Sequence, residues 1–246
     1  FLCQLSQAQL SKSLFPIGNI EKPEVRRIAT ELGLATAKRK DSQGICFVGK
    51  VDLPIFLQQK LKAKKGAIIE IANNWTGYAH HYDRQDVNLS DEELLEQLAA
   101  PIIYKASDGV NVGEHNGAHF YTVGQRKGLG VGGKAEPLFV IATDVEQNII
   151  YVGQGQNHKG LYRKALFISK EEMHWIRPDM ALPEGGERHY NLRIRYRQPL
   201  QGGTLRRVEN GLYMVFNTWQ RGVTAGQFAT WYSDEQELVG SGVINK

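Results

Sequence analysis

The stretch GTLRRVENGLYMVF, Gly203 to Phe216, decides the fold class. Runs rich in β-branched, aromatic and other apolar residues stand on either side of Asn210-Gly211, and Asn-Gly between such runs is the strongest short-range hairpin signal. The same texture spreads outward from it. AHFYTVG, LFVIATD, NIIYVGQ, ALFISK, HYNLRIRYR, FATWY and LVGSGVI are short runs separated by Gly, Asn or Asp, at the spacing of a small barrel or sandwich. Everything after Pro101 therefore reads as β. Upstream the period changes. Ser6 is placed to cap a helix carrying Leu10 and Leu14 and ended by Pro16 and Gly18, and EKPEVRRIATELGL puts Pro23 in a first turn and Gly33 at a stop. Val25, Ile28, Ala29 and Leu32 recur on one helix face as packing positions. VDLPIFLQQKL predicts a third short helix and GAIIEIA a strand.

Composition bounds the function classes. With 246 residues, 41% hydrophobic and 23% charged, the chain is long enough for a substantial core and has the balance of a globular protein. No apolar run reaches about 18 residues, so no membrane span is expected. The start FLCQLSQ has neither an initiator methionine nor a signal peptide, which is read as a fragment or a processed product. Two cysteines make no disulfide scaffold and point to the reducing cytoplasm. The net charge of +4 is segregated: +7 over residues 1–67, −7 over 68–118 and +4 over 119–246. This suits a polyanion gripped by the two ends of the chain with an acidic insert kept away from that partner; simple unevenness of surface charge is the alternative.

Several motifs invite chemistry. In KRKDSQGICFVGK, Cys46 follows the basic run Lys38, Arg39 and Lys40, and nearby positive charge favours the thiolate. A buried, inert thiol is the other reading. TVGQRKGLGVGGK, Thr122 to Lys134, is rich in glycine, but Lys134 is followed by Ala135 and more strand rather than by Ser/Thr opening a helix. Nucleotide binding there is rejected. What remains is either a flexible loop presenting Arg126 and Lys127 to RNA or a plain glycine-rich turn. In NLRIRYRQ, period two puts Arg193, Arg195 and Arg197 on one strand face, opposite Leu192, Ile194 and Tyr196. With Arg188, Arg206 and Arg207 they form an arginine group suited to phosphate, or else the solvated outside of a barrel. Ser90 and Glu93 form a capping box for an acidic helix with Leu94, Leu95 and Leu98. His80 and His81 lack the spacing of a metal site, so no metal is expected.

These residues carry a resemblance. The stretch from Phe1 through DSQGICFVG, then GEHNGAHFYTVGQRKGLGVGG, RYRQ and TAGQFATWY, closely resembles the tRNA-specific 2-thiouridylases of the MnmA type. It runs in the family's order along nearly the whole chain, the acidic stretch at about 73–100 excepted. The resemblance implies an α+β, mainly β fold. Residues 1–47 would be the helical tail of an ATP-pyrophosphatase-type α/β domain, 48–157 a small central domain with the acidic insert, and 158–246 a C-terminal antiparallel β-barrel that binds tRNA. It implies tRNA 2-thiolation, in which a cysteine persulfide supplies sulfur to C2 of an ATP-activated wobble uridine. Cys46 would be the persulfide carrier, and Cys3 a structural residue. Arg195, Tyr196 and Gln227 would bind tRNA, with Lys38, Arg39, Lys40, Arg126, Lys127, Arg193 and Arg197 as further tRNA-binding candidates. Strict alternation sends Arg195 and Tyr196 to opposite faces, so a bulge, an edge or wrapping RNA is needed for both to touch it. ATP would serve the full-length enzyme only, because no S-G-G-V-D-S loop occurs in this sequence, and the chain alone is expected to be inactive. The implied partners are tRNA and a sulfur-donor protein, in a cytoplasmic monomer. Alternatives are a tRNA methyltransferase acting on the same nucleotide and a non-catalytic RNA-binding module.

Overall fold

A computed structural model describes residues 2–39, 63–79, 88, 90–196 and 198–245. Cys46, Lys40, Arg197, His80, His81 and the helix expected at VDLPIFLQQKL lie outside the described residues. The chain divides into two compact units, Ser6–Lys62 and a larger one formed by Phe1–Leu5 with Ala63–Lys246.

The smaller unit contributes α1 (Gln7–Leu10) and α2 (Lys22–Glu31). Ser6 caps α1 as expected: its Oγ accepts from the Gln9 N–H, and Gln9 Oε1 accepts from the Ser6 N–H. The helix stops at Leu10, however, and Leu14 is 89% exposed. One turn is too short to present a second apolar residue on the same face. Pro23 stands in the first turn of α2, and Gly33, with φ of 65°, ends it while the Leu34 N–H reaches back to Ala29 O at 2.9 Å. Val25, Ile28 and Ala29 are half-buried, but Leu32 is exposed, so the expected apolar face is only partly covered.

The larger unit holds two sheets. The first runs β2-β1-β4-β3, built from β1 (Gly66–Glu70), β2 (Val110–His115), β3 (Leu138–Asp144) and β4 (Ile149–Gln154). β1 and β4 are parallel, and the other pairs antiparallel. Both faces are covered. Ile68, Leu138, Val140, Ile150 and Val152 pack on one side with Leu129 of the glycine-rich loop. Ile69, Ile71, Tyr78, Tyr104, Ile141 and Tyr151 pack on the other. AHFYTVG is not a strand. Ala118–Phe120 forms a 3₁₀ turn, after which the Gly124 N–H donates to Val140 O and the Val140 N–H to Gln125 O along the free edge of β3.

The second sheet is antiparallel throughout, in the order β5-β9-β8-β7-β10-β11-β6. Its strands are β5 (Tyr162–Ser169), β6 (Met173–Trp175), β7 (Glu187–Arg193), β8 (Gln201–Val208), β9 (Gly211–Arg221), β10 (Phe228–Tyr232) and β11 (Leu238–Val243). β7, β8 and β9 form a meander and β10 returns beside β7, which is a Greek key. The sheet curls until the chain after β11 meets β5: the Asn245 N–H donates to Phe167 O at 2.9 Å, and Asn245 Oδ1 accepts from the Ser169 N–H at 2.5 Å. Trp231, Tyr190, Phe216, Leu192, Leu205 and Leu212 fill the inside.

The opening stretch is the β8–β9 hairpin, but its two turn residues are Glu209 and Asn210, because Val208 pairs with Gly211. Neither turn residue has positive φ, so this is not the mirror-image turn that Asn-Gly advertises. The unbroken apolar run in LYMVF has a physical cause. Leu212, Met214 and Phe216 face the inside, whereas Tyr213 and Val215 meet Leu94, Leu95 and Leu98 of α3 (Glu92–Ala99) outside. Burying three leucines stabilises this docking by about 1.5–3 kcal/mol each. The N-cap of α3 is Asp91, whose Oδ1 accepts from the Leu94 N–H at 2.9 Å, and not Ser90, whose N–H and Oγ both donate to Asn88 Oδ1. The helix of the acidic stretch is thus part of the wall of the larger unit.

Residues 2–5 belong to the same unit. Ser241 Oγ donates to Cys3 O at 2.6 Å and accepts from Gln4 Nε2 at 2.7 Å, and the His174 ring bonds Leu5 O at 2.9 Å.

Candidate functional site

RYRQ is a turn. β7 ends at Arg193, and the Gln198 N–H donates to Arg195 O at 3.1 Å, closing a four-residue turn just past the strand. Ile194 remains in the core, and Tyr196 stands on the turn with 82% exposure. Alternation stops with the strand, so Arg195 and Tyr196 are both exposed without a bulge. Gln198 anchors the turn from below: its amide donates to Gln220 Oε1 at 2.6 Å and its Oε1 accepts from the Ile194 N–H.

Arg195 also meets the connection between β9 and β10. Its Nη2 donates to Gly222 O at 3.0 Å, and Gly222 has φ of 70°. A Cβ there would lie 2.6 Å from Arg195 Nη2, so the glycine is what admits the guanidinium. One donor is used and the others remain for an acceptor outside. Gln227 lies in the same connection, held from behind by the Ile244 N–H, which donates to Gln227 O at 2.9 Å. β7 and β10 pair antiparallel, Thr230 with Arg193 and Trp231 with Leu192, so the end of β7, from which Arg195 and Tyr196 follow, lies beside the start of β10, just after Gln227. The three residues are therefore gathered at one end of β7 and β10. Phe228, an exposed aromatic at this end, escaped the sequence reading because it sits inside a strand-like run. Its signal was its place directly after Gln227, and an exposed ring beside arginine is a stacking platform for bases.

The wider arginine group disperses. Arg207 is buried, and its Nη1 donates to Gly211 O at 2.5 Å and to Val208 O. Arg206 bonds Gly185 O and pairs with Glu187 at 3.7 Å. Arg193 lies over the Tyr232 ring, 5.5 Å from its centroid, and Arg188 reaches Met180 O and the Tyr190 hydroxyl. The single arginine face expected from periodicity is absent among the described residues; structural duties absorb most of it.

The glycine-rich segment packs more closely than a flexible loop. Leu129 is buried against the first sheet, and Tyr121 donates its hydroxyl to Gly128 O. Arg126 and Lys127 are exposed at its turn. Lys134, in contrast, pairs with Glu70 at 2.5 Å, and Gln154 donates to the same carboxylate. Burial pushes Glu70 up, but these two partners outweigh it and hold the carboxyl below its usual value. With Lys134 engaged and β3 rather than a helix following, this loop does not fit ATP phosphates. Among the described residues no group of three or more His, Cys, Asp or Glu could hold a metal ion.

Lys38 and Arg39 are exposed in the smaller unit, after a turn in which the Arg39 N–H donates to Thr36 O. Cys3 is free and buried.

Comparison with known proteins adds an independent finding. The family model described as tRNA methyl transferase HUP domain matches residues 1–50, that described as tRNA methyl transferase PRC-barrel domain matches 92–154, and that described as Aminomethyltransferase beta-barrel domain matches 166–244. The PRC-barrel match begins within the acidic stretch and takes in α3. A tRNA-specific 2-thiouridylase MnmA of Christiangramia forsetii is 53% identical over 246 residues, all of this chain and 61% of that protein. One of Flavobacterium johnsoniae is 55% identical over 245 residues, again 61% of its length. One of Karelsulcia muelleri is 44% identical and covered to 60%. The chain thus spans about three fifths of the length of the curated relatives it matches.

Proposed function

The chain belongs to the family of tRNA-specific 2-thiouridylases, and from that premise we propose that it carries the sulfur and grips the tRNA in 2-thiolation of the wobble uridine. The observation that carries the tRNA part is the turn at Arg195–Gln198, which offers a guanidinium and a tyrosine ring together at the end where Gln227 and Phe228 stand. Arginine takes a phosphate through paired hydrogen bonds, and exposed rings take unstacked bases. Arg126, Lys127, Lys38, Arg39, Lys40 and Arg197 add positive charge for the backbone. Arg193 supports Tyr232 and serves the surface indirectly.

In the sulfur step, Cys46 receives a sulfane sulfur from a donor protein as Cys46–S–SH. The terminal sulfur attacks the activated C2 carbon, and the leaving group departs with the C2 oxygen. A cysteine thiolate other than buried Cys3 then attacks the Cys46 sulfur, the S–S bond of the persulfide breaks, and a disulfide closes for later reduction by an external thiol. The glycine-rich loop does not fit ATP, and activation of C2 is assigned to no residue here. The purified chain with ATP, a persulfide donor and tRNA is expected to form no 2-thiouridine. We read the protein as a cytoplasmic monomer; no described helix is long and apolar enough to cross a membrane. The boundaries 1–47, 48–157 and 158–246 stand as proposed divisions of the chain.

The test is the affinity for an anticodon stem-loop RNA across a salt series. Binding is expected to fall steeply with salt, and Arg195→Ala to weaken it and lower the slope of log affinity against log salt by about 1. Affinity indifferent to salt and to Arg195→Ala overturns the tRNA-binding role. The methyltransferase reading rests on the names of the domain models; S-adenosylmethionine binding by calorimetry would revive it, and none is expected.

A further inference from the structure

The two sheets of the larger unit enclose a cleft of about 520 Å³, walled mainly by apolar side chains between Pro101 and Tyr104, on β3 and β4, and in the β9–β10 connection. That is the size of a pocket for one or two side chains or a small ligand. Ile103 and Val145 line it and are 81% and 58% exposed, so apolar surface continues outward to solvent. Tyr151, on the wall, is 2% exposed, and its hydroxyl has no hydrogen-bond partner among the described residues. An unpaired buried hydroxyl destabilises the fold, a cost that a ligand group reaching it would relieve.

Charge decides what that ligand is. Asp144 lines the cleft, and Asp108 is near enough that both carboxylates, after burial itself, push the Tyr151 hydroxyl up. Arg163 is the cation on the wall, and its two amino groups are spent on Ala99 O at 2.8 Å and Val223 O at 2.7 Å. A phosphate would meet the Asp144 carboxylate and, among the described lining residues, a cation whose two amino groups are already bonded, whereas an ammonium or guanidinium would meet a carboxylate and a hydroxyl. We propose that this cleft docks a segment of a partner protein presenting an aliphatic side chain beside a lysine or arginine, the aliphatic group lying against Ile103 and Val145 and the cation reaching Asp144 and Tyr151. The site is separate in chemistry from the Arg195 rim. It gives one molecule two faces of opposite preference, one for RNA and one for a basic protein segment.

The probe is a fluorescein-labelled peptide with alternating isoleucine and lysine, compared by anisotropy with versions carrying glutamate for lysine or serine for isoleucine. On the intact chain the isoleucine–lysine peptide is expected to bind about tenfold or more tightly than either control. Asp144→Asn keeps the acceptor for the Gln147 N–H and is expected, like Ile103→Asp, to lower that affinity about fivefold or more. Tyr151→Phe is expected to weaken the peptide while leaving the melting temperature unchanged or raised, which separates docking from folding. Equal binding of all three peptides, or binding untouched by both Asp144→Asn and Ile103→Asp, overturns the proposal. So does loss of anticodon stem-loop affinity in those two variants without peptide selectivity, which would assign the cleft to RNA. Failure of Arg195→Ala to alter RNA binding bears only on the function proposed above.

Discussion

His158 has both ring nitrogens occupied while almost wholly buried: Nδ1 accepts from the Gly160 N–H at 3.2 Å, so Nε2 carries the proton and donates to Ile71 O at 3.0 Å. Burial pushes its pKa below 6.5, and burial does the same to His115, whose Nδ1 accepts from the Gly117 N–H. The unfolded chain therefore takes up these protons first. Their contribution is intact above about pH 6.5 and is lost as pH falls from there through the lower folded values, at up to about 1.4 kcal/mol per pH unit for each ring. Thermal melting between pH 7.5 and 5 is expected to show this decline, and His158→Gln to flatten it. A profile flat over that range would contradict the buried neutral rings. Glu70 acts lower: its stabilisation is present above about 4.5 and fades below it. A second expectation concerns the thiols. Buried Cys3 is expected to resist iodoacetamide while Cys46 reacts first and faster as pH rises; equal inertness would favour a non-catalytic module. The sequence marked Tyr196 and Gln227 by resemblance alone, and Arg195 by its run of arginines as well. That they gather at one end was hidden, because alternation assumes a strand and a turn hydrogen bond, Gln198 to Arg195, had replaced it.

At the scale of elements, Arg163 holds three pieces together. It projects from β5, and its two arms bind the last turn of α3 at Ala99 and the β9–β10 connection at Val223. Burial pushes its pKa down to about 10, which leaves it charged at neutral pH. Arg163→Ala is expected to destabilise the fold by about 2–4 kcal/mol in chemical denaturation, since a charge-assisted pair is lost and two carbonyls are stranded. Arg163→Lys is expected to recover only part, because one ammonium cannot span both acceptors. A silent Arg163→Ala would mean that α3 is held by its leucines alone. The strand runs from Leu138 onward were readable because period two and turn residues are local signals. The cap of α3 was misread by one position because Ser90 and Asp91 both suit an N-cap, and only the bond to the Leu94 N–H separates them. AHFYTVG has strand composition, yet Gly117 and Gly124 at positive φ bend the chain at its start and end.

At the scale of the molecule, the mainly β class and the curled antiparallel sheet followed from the sequence, but the pairing of β1 with β4 did not. Their parallel contact spans a long separation in sequence and leaves no local trace. The same holds for charge. Net charge says nothing of packing, and it is three leucines on one face of α3 that dock the acidic stretch firmly. The bonds from Cys3, Gln4 and Leu5 to Ser241 and His174 carry a further consequence. Both ends of the Ser6–Lys62 unit spring from the same larger unit, so in topology the smaller unit is an insertion. A single cut inside it leaves the piece that begins at Phe1 still strapped to β6 and β11. Covalent continuity and structural attachment are thus separate properties here.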